Sequence, residues 1–175
     1  MTTSADELIA ARLAFPVGDR VRGNVSAIPM VAGRAGVLVD LGQPPQGWVD
    51  VLHLPDDPTD WPAVGKAGLF EVLQHRPGEV RLFPLDAGMR GRRTRFSRWS
   101  GEEWAAITRR YPEGAVVVGT VTNVFPGNRE YTVTFNDCWS VLEYEDIAPS
   151  VGWTGPFLVT RLLEWTHRIL LRPAT

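Results

Sequence analysis

The stretch Phe15-Pro-Val-Gly-Asp-Arg-Val-Arg-Gly-Asn-Val25 recurs 96 residues later as Tyr111-Pro-Glu-Gly-Ala-Val-Val-Val-Gly-Thr-Val121. Each copy has an aromatic residue followed by proline, then a glycine, and ends in Val-x-Gly-x-Val. Self-similarity at one offset indicates that a structural unit is used twice. The offset exceeds the period of about 20–50 residues found in solenoid repeats. We therefore expect the 175-residue chain to form two small domains, each with its own core.

A helix start precedes each copy. Ser4 and Glu7, and again Ser100 and Glu103, have the Ser-x-x-Glu spacing of a capping box, in which each side chain binds a backbone N–H at a helix start. The prolines of the two repeated stretches then end each helix. The sequence predicts short helices near 5–13 and 101–110.

Five short segments rich in β-branched and aromatic residues follow each helix. The predicted strands are 20–28, 37–41, 48–52, 69–74 and 80–83 in the first unit, and 116–125, 131–135, 139–142, 157–162 and 168–171 in the second. Five short strands favour a small barrel, because closing the sheet removes its edges.

Alternation along these strands predicts the core. The residues expected inside are Val21, Val25, Val39, Leu41 and Val72 in the first unit and Val117, Val121, Val133, Phe135 and Val159 in the second. Tyr131 shares the inward set, whereas Trp139 fits either the core or the surface. His75, next to a predicted hairpin turn, is expected to be exposed.

Composition describes an ordinary globular protein. The formal net charge is -2, and 44% of the residues are hydrophobic. The start of the chain lacks a basic region and an apolar signal core, and the single Cys138 excludes an internal disulfide. Both observations favour the cytoplasm.

The segment 85–99 holds the main basic cluster and separates the units, so we divide the chain into 1–84, 85–99 and 100–175. It contains five arginines and two aromatic residues: Arg90, Arg92, Arg93, Arg95, Arg98, Phe96 and Trp99. Two interpretations are open. The segment is either a solvated linker or a strip that binds phosphates and stacks bases.

Three motifs of the first unit resemble the RNA-binding domain first described in ribosomal protein S-one. They are Gly18-Asp-Arg-Val-Arg-Gly-Asn-Val25, Gly36-Val-Leu-Val-Asp-Leu-Gly42 and Gly47-Trp-Val-Asp-Val-Leu-His-Leu54. The resemblance covers about 15–84, and more weakly 111–173, where the middle motif is lost. It implies a mainly β fold of two tandem five-stranded barrels of the oligonucleotide-binding (OB) type, each preceded by a short helix.

The chain departs from that family at the residues that would stack bases. The family carries aromatic residues and a histidine where this sequence has Ala35, Leu38 and Asp50. Stacking contributes about 1–3 kcal/mol per base, so the first barrel is expected to bind weakly. Arg81 on the last strand is a further candidate contact, although Glu79 and Glu71 are expected near it.

Other constellations point to no chemistry. His53 with Asp56, Asp57 and Asp60 matches no metal-ligand spacing. No nucleophile is paired with a base, and no glycine-rich phosphate loop opens a helix. We expect no metal, no cofactor and no enzymatic activity.

Two functions remain. The first, favoured by the arginine-rich segment, is non-catalytic binding of RNA or single-stranded nucleic acid, with contacts from that segment and Arg81. The second is a protein-interaction module, an adaptor or inhibitor, favoured by the missing stacking residues. Trp61, Trp99 and Trp104 lie outside the predicted strands. We expect them to pack one unit against the other, with anchoring of a partner as the alternative.

Overall fold

The computed structural model describes residues 4–31, 33–91 and 99–175; the side chains of Met30 and Val31 are not described. The chain divides into two compact units, Met1–Arg95 and Phe96–Thr175. Each has one short α-helix and a β-sheet, so the predicted mainly β fold class is confirmed. Within the described ranges no helix is long and apolar enough to cross a membrane.

The first unit is a closed five-stranded barrel with an added two-residue strand. Its elements are α1 (Ser4–Ala14), β1 (Arg20–Ala27), β2 (Met30–Val31), β3 (Arg34–Asp40), β4 (Gln46–Asp50), β5 (Ala67–Arg76) and β6 (Glu79–Pro84). The strand order is β1-β5-β6-β4-β3-β2, and pairing of β1 with β3 closes the barrel. β4 and β6 run parallel, whereas the other described pairs of this unit are antiparallel.

The second unit is a five-stranded antiparallel sheet. Its elements are α2 (Gly101–Arg110), β7 (Val116–Phe125), β8 (Glu130–Phe135), β9 (Cys138–Glu143), β10 (Thr154–Leu163) and β11 (Arg168–Pro173). The order is β11-β10-β7-β8-β9, and no ladder of described residues joins the end strands β9 and β11. A side chain connects them instead, since Ser140 Oγ donates to the carbonyl of Ile169 at 2.6 Å.

The same local contacts are found inside each of the two units. A Cβ on Gly23 would lie 2.4 Å from Cγ1 of Val39, and one on Gly119 would lie 2.4 Å from Cγ1 of Val133. Only glycine permits this close strand crossing. The backbone bonds match as well: Gly18 N to Val72 O and Gly114 N to Val159 O, both 2.8 Å, and Gly65 N to Val25 O at 2.7 Å and Gly152 N to Val121 O at 2.8 Å.

The predicted cores are largely confirmed. All five residues expected inside the second sheet are buried, and so is Tyr131. In the first barrel Val25, Val39 and Val72 are buried, whereas Val21 and Leu41 are only partly covered at the edge of the core.

One expectation about a ring was wrong. His75 has 0% of its surface exposed, because its Nε2 donates to the carbonyl of Phe15 at 2.6 Å, below the end of α1. Trp61 and Trp104 are buried in the cores of their own units, and Trp99 packs against the second core. The expectation that these indoles pack one unit against the other stays a prediction.

The predicted capping box is formed at the start of the second helix. In α2 both bonds of the capping box are formed: Glu103 N donates to Ser100 Oγ at 3.2 Å, and Ser100 N donates to the Glu103 carboxylate at 2.7 Å. In α1, Ser4 is the first of the described helical residues, and residues 1–3 lie outside the described ranges.

Candidate nucleic-acid interface

The arginine-rich segment is described only at its two ends. Arg92, Arg93, Arg95, Phe96 and Arg98 lie outside the described residues, whereas Arg90 and Trp99 are both half-buried.

The start of the segment belongs to the first unit. Ala87–Met89 forms a 3-10 turn, and the Met89 side chain is buried in the core of the barrel. Gly91 N donates to the carbonyl of His53 at 2.9 Å. Arg90 is therefore held against the first barrel by the residues on either side of it.

The end of the segment belongs to the second unit. The ring of His167, in the hairpin between β10 and β11, stacks on Trp104 with centroids 5.0 Å apart and planes 10° apart. Nδ1 of His167 lies 3.2 Å from the carbonyl of Trp99, so it is the donor. His167 has a φ of 51°, a left-handed conformation that glycine adopts most easily and that Gly78 adopts in the matching hairpin. The histidine in this position ties Trp99 to the sheet.

The outer face of the first barrel is formed by β3, β4 and β6. Trp48 lies on the opposite side of β4 from the core residue Val49, yet only 1% of it is exposed. Its ring lies across Gly36, where a Cβ would come within 2.6 Å of the indole. The guanidinium of Arg34 covers the ring at 4.1 Å from the centroid, a cation–π contact. This aromatic surface is not available to a base.

The arginines of the same face form ion pairs with carboxylates. Arg34 is paired with Glu79, and Arg81 lies 2.5 Å from Glu79 and 3.5 Å from Asp50. Burial lowers the pKa of the Arg81 guanidinium, and the nearby Glu79 opposes that shift. Each positive charge of the face therefore has a carboxylate beside it.

One predicted platform position is misplaced. Leu38 and Asp50 lie on strands of the outer face, as expected, but Ala35 packs against the core of the barrel. The alternation of β3 explains the error, because Ala35 shares its side of the strand with the buried Val37 and Val39.

The outer face of the second sheet is more open. Cys138 and Leu142 of β9 belong to the core, and Ser140 between them is also buried. Trp139 points the other way and is 47% exposed. A surface cleft lies between β9 and β11, and its lining includes Trp99, Trp139, Ser140, His167, Arg168 and Leu170. The sequence left Trp139 undecided; the alternation of buried residues on either side of it is the signal that places it outside.

The loop around His53 was a weak candidate for a metal site in the sequence. Among the described residues no group of three or more histidines, cysteines and carboxylates could hold an ion. His53 packs edge-on against Phe83 with ring centroids 5.3 Å apart, and burial lowers its pKa. Asp57 instead accepts from the backbone and hydroxyl of Thr59, and the backbone bond is the larger cause of its lowered pKa.

Comparison with known proteins gives only distant likenesses. No protein-family model matches the chain. No curated protein matches it either. Among solved structures, a multidomain protein with nucleic-acid-binding domains from Streptococcus pneumoniae aligns over 90% of this chain and 51% of its own length, with 18% identity and a TM-score of 0.31. GSP13 from Bacillus subtilis aligns over 39% of this chain and 55% of its own length, with 24% identity and a TM-score of 0.34. The chain thus spans about half the length of each.

Proposed function

We propose that the protein is a non-catalytic OB-type protein that binds RNA or single-stranded nucleic acid, with its arginine-rich segment as the main contact. The observation that carries the proposal is the anchoring of Trp99. This residue ends the segment and is fixed beside an open cleft that also contains Trp139 and Arg168. Cations next to accessible aromatic rings are what a single strand requires, because phosphates need charge and bases need flat surfaces.

The segment concentrates positive charge, whereas the chain as a whole is slightly acidic. The formal net charge is -2, so overall charge does not attract a polyanion. Five arginines between positions 90 and 98 concentrate positive charge in one short stretch. On the first barrel, by contrast, the carboxylates of Glu79 and Asp50 neutralise Arg34 and Arg81. We therefore expect the segment to contribute more to affinity than Arg81.

The salt dependence of binding tests this proposal. For single strands, the logarithm of affinity falls against the logarithm of salt concentration with a slope of about -0.7 per phosphate contacted. Four or five contacts give a slope of about -3. Replacing Arg90, Arg92, Arg93, Arg95 and Arg98 by serine should flatten this slope and nearly abolish binding, as measured by the anisotropy of a labelled RNA.

The matched control replaces two arginines of the first barrel, Arg34 and Arg81, by serine. Because both are ion-paired within the face, the slope should change little. If the intact protein binds no RNA even at low salt, the proposal is wrong. Capture of one protein from the same cell would then favour the interaction-module hypothesis.

A further inference from the structure

We propose that the cleft between β9 and β11 is a binding site for an unpaired nucleobase, which stacks on Trp139. The inference rests on the proposed function and assigns base stacking to the second unit rather than to the face of the first barrel. The ligand class is a base of a single strand, without preference for its identity, because every base has a flat face that an indole can cover.

The cleft exists because the second sheet does not close as the first one does. In the first barrel Gly47 of β4 stands beside Val80 of the parallel strand β6. In the second sheet Ser140 occupies the matching position, and its Oγ donates a hydrogen bond to the carbonyl of Ile169. The hydroxyl holds β9 and β11 together at one point, and the surface on the outer side of that point remains open.

Trp139 is the most exposed of the aromatic residues that line this opening. It is 47% exposed and stands directly before Ser140 on β9. Two other indoles of the unit are equally accessible, Trp153 at 46% and Trp165 at 45%. Neither lines the cleft. Exposure alone therefore does not single out Trp139; its position at the cleft does.

The charges around the cleft suit a nucleotide better than an isolated phosphate. Arg168 lines the cleft, and Arg172 lies exposed further along β11. The carboxylate of Asp137 precedes β9 and that of Glu143 ends it. This mixed surface offers no strong anion site, so the affinity of the cleft must come from the uncharged base.

The test compares two ligands and two variants. The ligands are an oligouridine of about twelve nucleotides and an abasic chain of the same length, which carries the phosphates without the bases. The variants are Trp139→Ala and the matched Trp165→Ala. Trp139→Ala should weaken binding of oligouridine by about 5- to 150-fold, equivalent to about 1–3 kcal/mol of stacking. It should leave the salt slope and the affinity for the abasic chain unchanged.

Trp165→Ala should bind both chains like the parent, and Trp139→Phe should retain most of the affinity because a phenyl ring still stacks. Equal losses for Trp139→Ala and Trp165→Ala, or an equal loss on the abasic chain, would overturn the stacking site while leaving the proposed function intact. A parent protein that binds neither chain at low salt overturns both.

Discussion

The first barrel and the second sheet share a close contact between a glycine and a valine on neighbouring strands. They differ at the seam, where β4 meets β6 in the first barrel and β9 lies beside β11 in the second sheet. Gly23 and Gly119 lie equally close to a valine on the next strand. At the seam, however, Gly47 pairs across the sheet with Val39, whereas Ser140 pairs with Val133. A Cβ on Gly47 would lie 2.4 Å from Cδ1 of Leu82. Because Gly47 has no side chain, β4 and β6 can approach and pair. Ser140 has a hydroxymethyl group at the matching position, and no ladder of described residues joins β9 to β11.

The outer faces of the two units also differ, in the exposure of their tryptophans. On the first barrel Trp48 is covered by Arg34, which is itself paired with Glu79. On the second sheet Trp139 lines the cleft and is 47% exposed. The two units can therefore have similar backbones and unequal binding surfaces. The motif that most resembles a known RNA-binding domain lies in the unit whose face is already occupied by its own side chains.

The largest effect is expected from a charged residue placed in one of the two cores. Val39 and Val133 are both fully buried at equivalent contacts. A carboxylate at either site would be buried without a partner, which costs several kcal/mol. Val133→Asp should unfold the second unit and Val39→Asp the first, as seen in the NMR spectrum by loss of one set of dispersed amide signals. Loss of both sets in each variant would show that the units do not fold separately.

The next prediction exchanges the seam residues. Gly47→Ser introduces a side chain against Leu82 and Val39, and overpacking of this kind typically costs about 1–3 kcal/mol. Ser140→Gly removes the hydroxyl that donates to the carbonyl of Ile169 and adds the freedom of glycine to the unfolded chain, so it should cost a similar amount, about 1–3 kcal/mol. Denaturant unfolding measures both. Hydrogen exchange should be faster for β9 amides in Ser140→Gly, because the hydroxyl joins β9 to β11; unchanged exchange would contradict this role of the hydroxyl.

A buried hydrogen bond distinguishes the units at the end of the first helix. His75 holds the carbonyl of Phe15, whereas the matching ladder position of the second sheet is Leu162, opposite Ile169. His75→Leu would place the second unit's residue in the first and leave a carbonyl without its donor, at a cost of about 1–3 kcal/mol. Thermal melting measures the loss, and an unchanged midpoint would mean that the carbonyl finds another donor.

Sequence patterns predicted what depends on local periodicity. The repeated Val-x-Gly-x-Val stretch and the alternating strands indicated both sheets and most of the core, because side chains alternate between faces whatever their tertiary partners. The patterns failed for His75 and Ala35. Each was judged from its neighbours in sequence, although its burial depends on contacts with a helix end or with the opposite wall of the barrel.

The candidate site was predicted only in part. Trp99 was selected by its place beside five arginines, and the structure adds the residues that fix it, His167 and Trp104. Trp139 was left undecided because its exposure depends on the register between β8 and β9, where it stands opposite Thr134. Register is a tertiary property, since a shift of one residue would turn the indole into the core.

A smaller effect is expected at the helix starts. The two sequences share the Ser-x-x-Glu spacing, and Ser100 is the N-cap residue of α2, whereas Ser4 lies within α1. Ser100→Ala removes the bond from Glu103 N and should cost about 0.5–2 kcal/mol. Ser4→Ala, inside the first turn of α1, should cost less. Equal losses in urea unfolding would show that the first helix is capped in the same way as the second.

The smallest prediction concerns pH and the first barrel. Burial lowers the pKa of His53 in the folded state, with Asp50 opposing the shift and Arg81 adding to it. Above its ordinary value of about 6.5, neither the folded nor the unfolded form binds a proton at this site, so its contribution to stability is fully present. As the pH falls below that value, the unfolded chain takes up a proton that the folded barrel resists, and stability is lost until the lowered folded pKa is passed. An NMR titration should therefore place the His53 midpoint below 6.5, with the resonance assigned by its absence in His53→Gln. The destabilisation between about pH 7.5 and about pH 5 should be smaller in that variant than in the parent. A midpoint at or above 6.5 would mean that Asp50 outweighs burial.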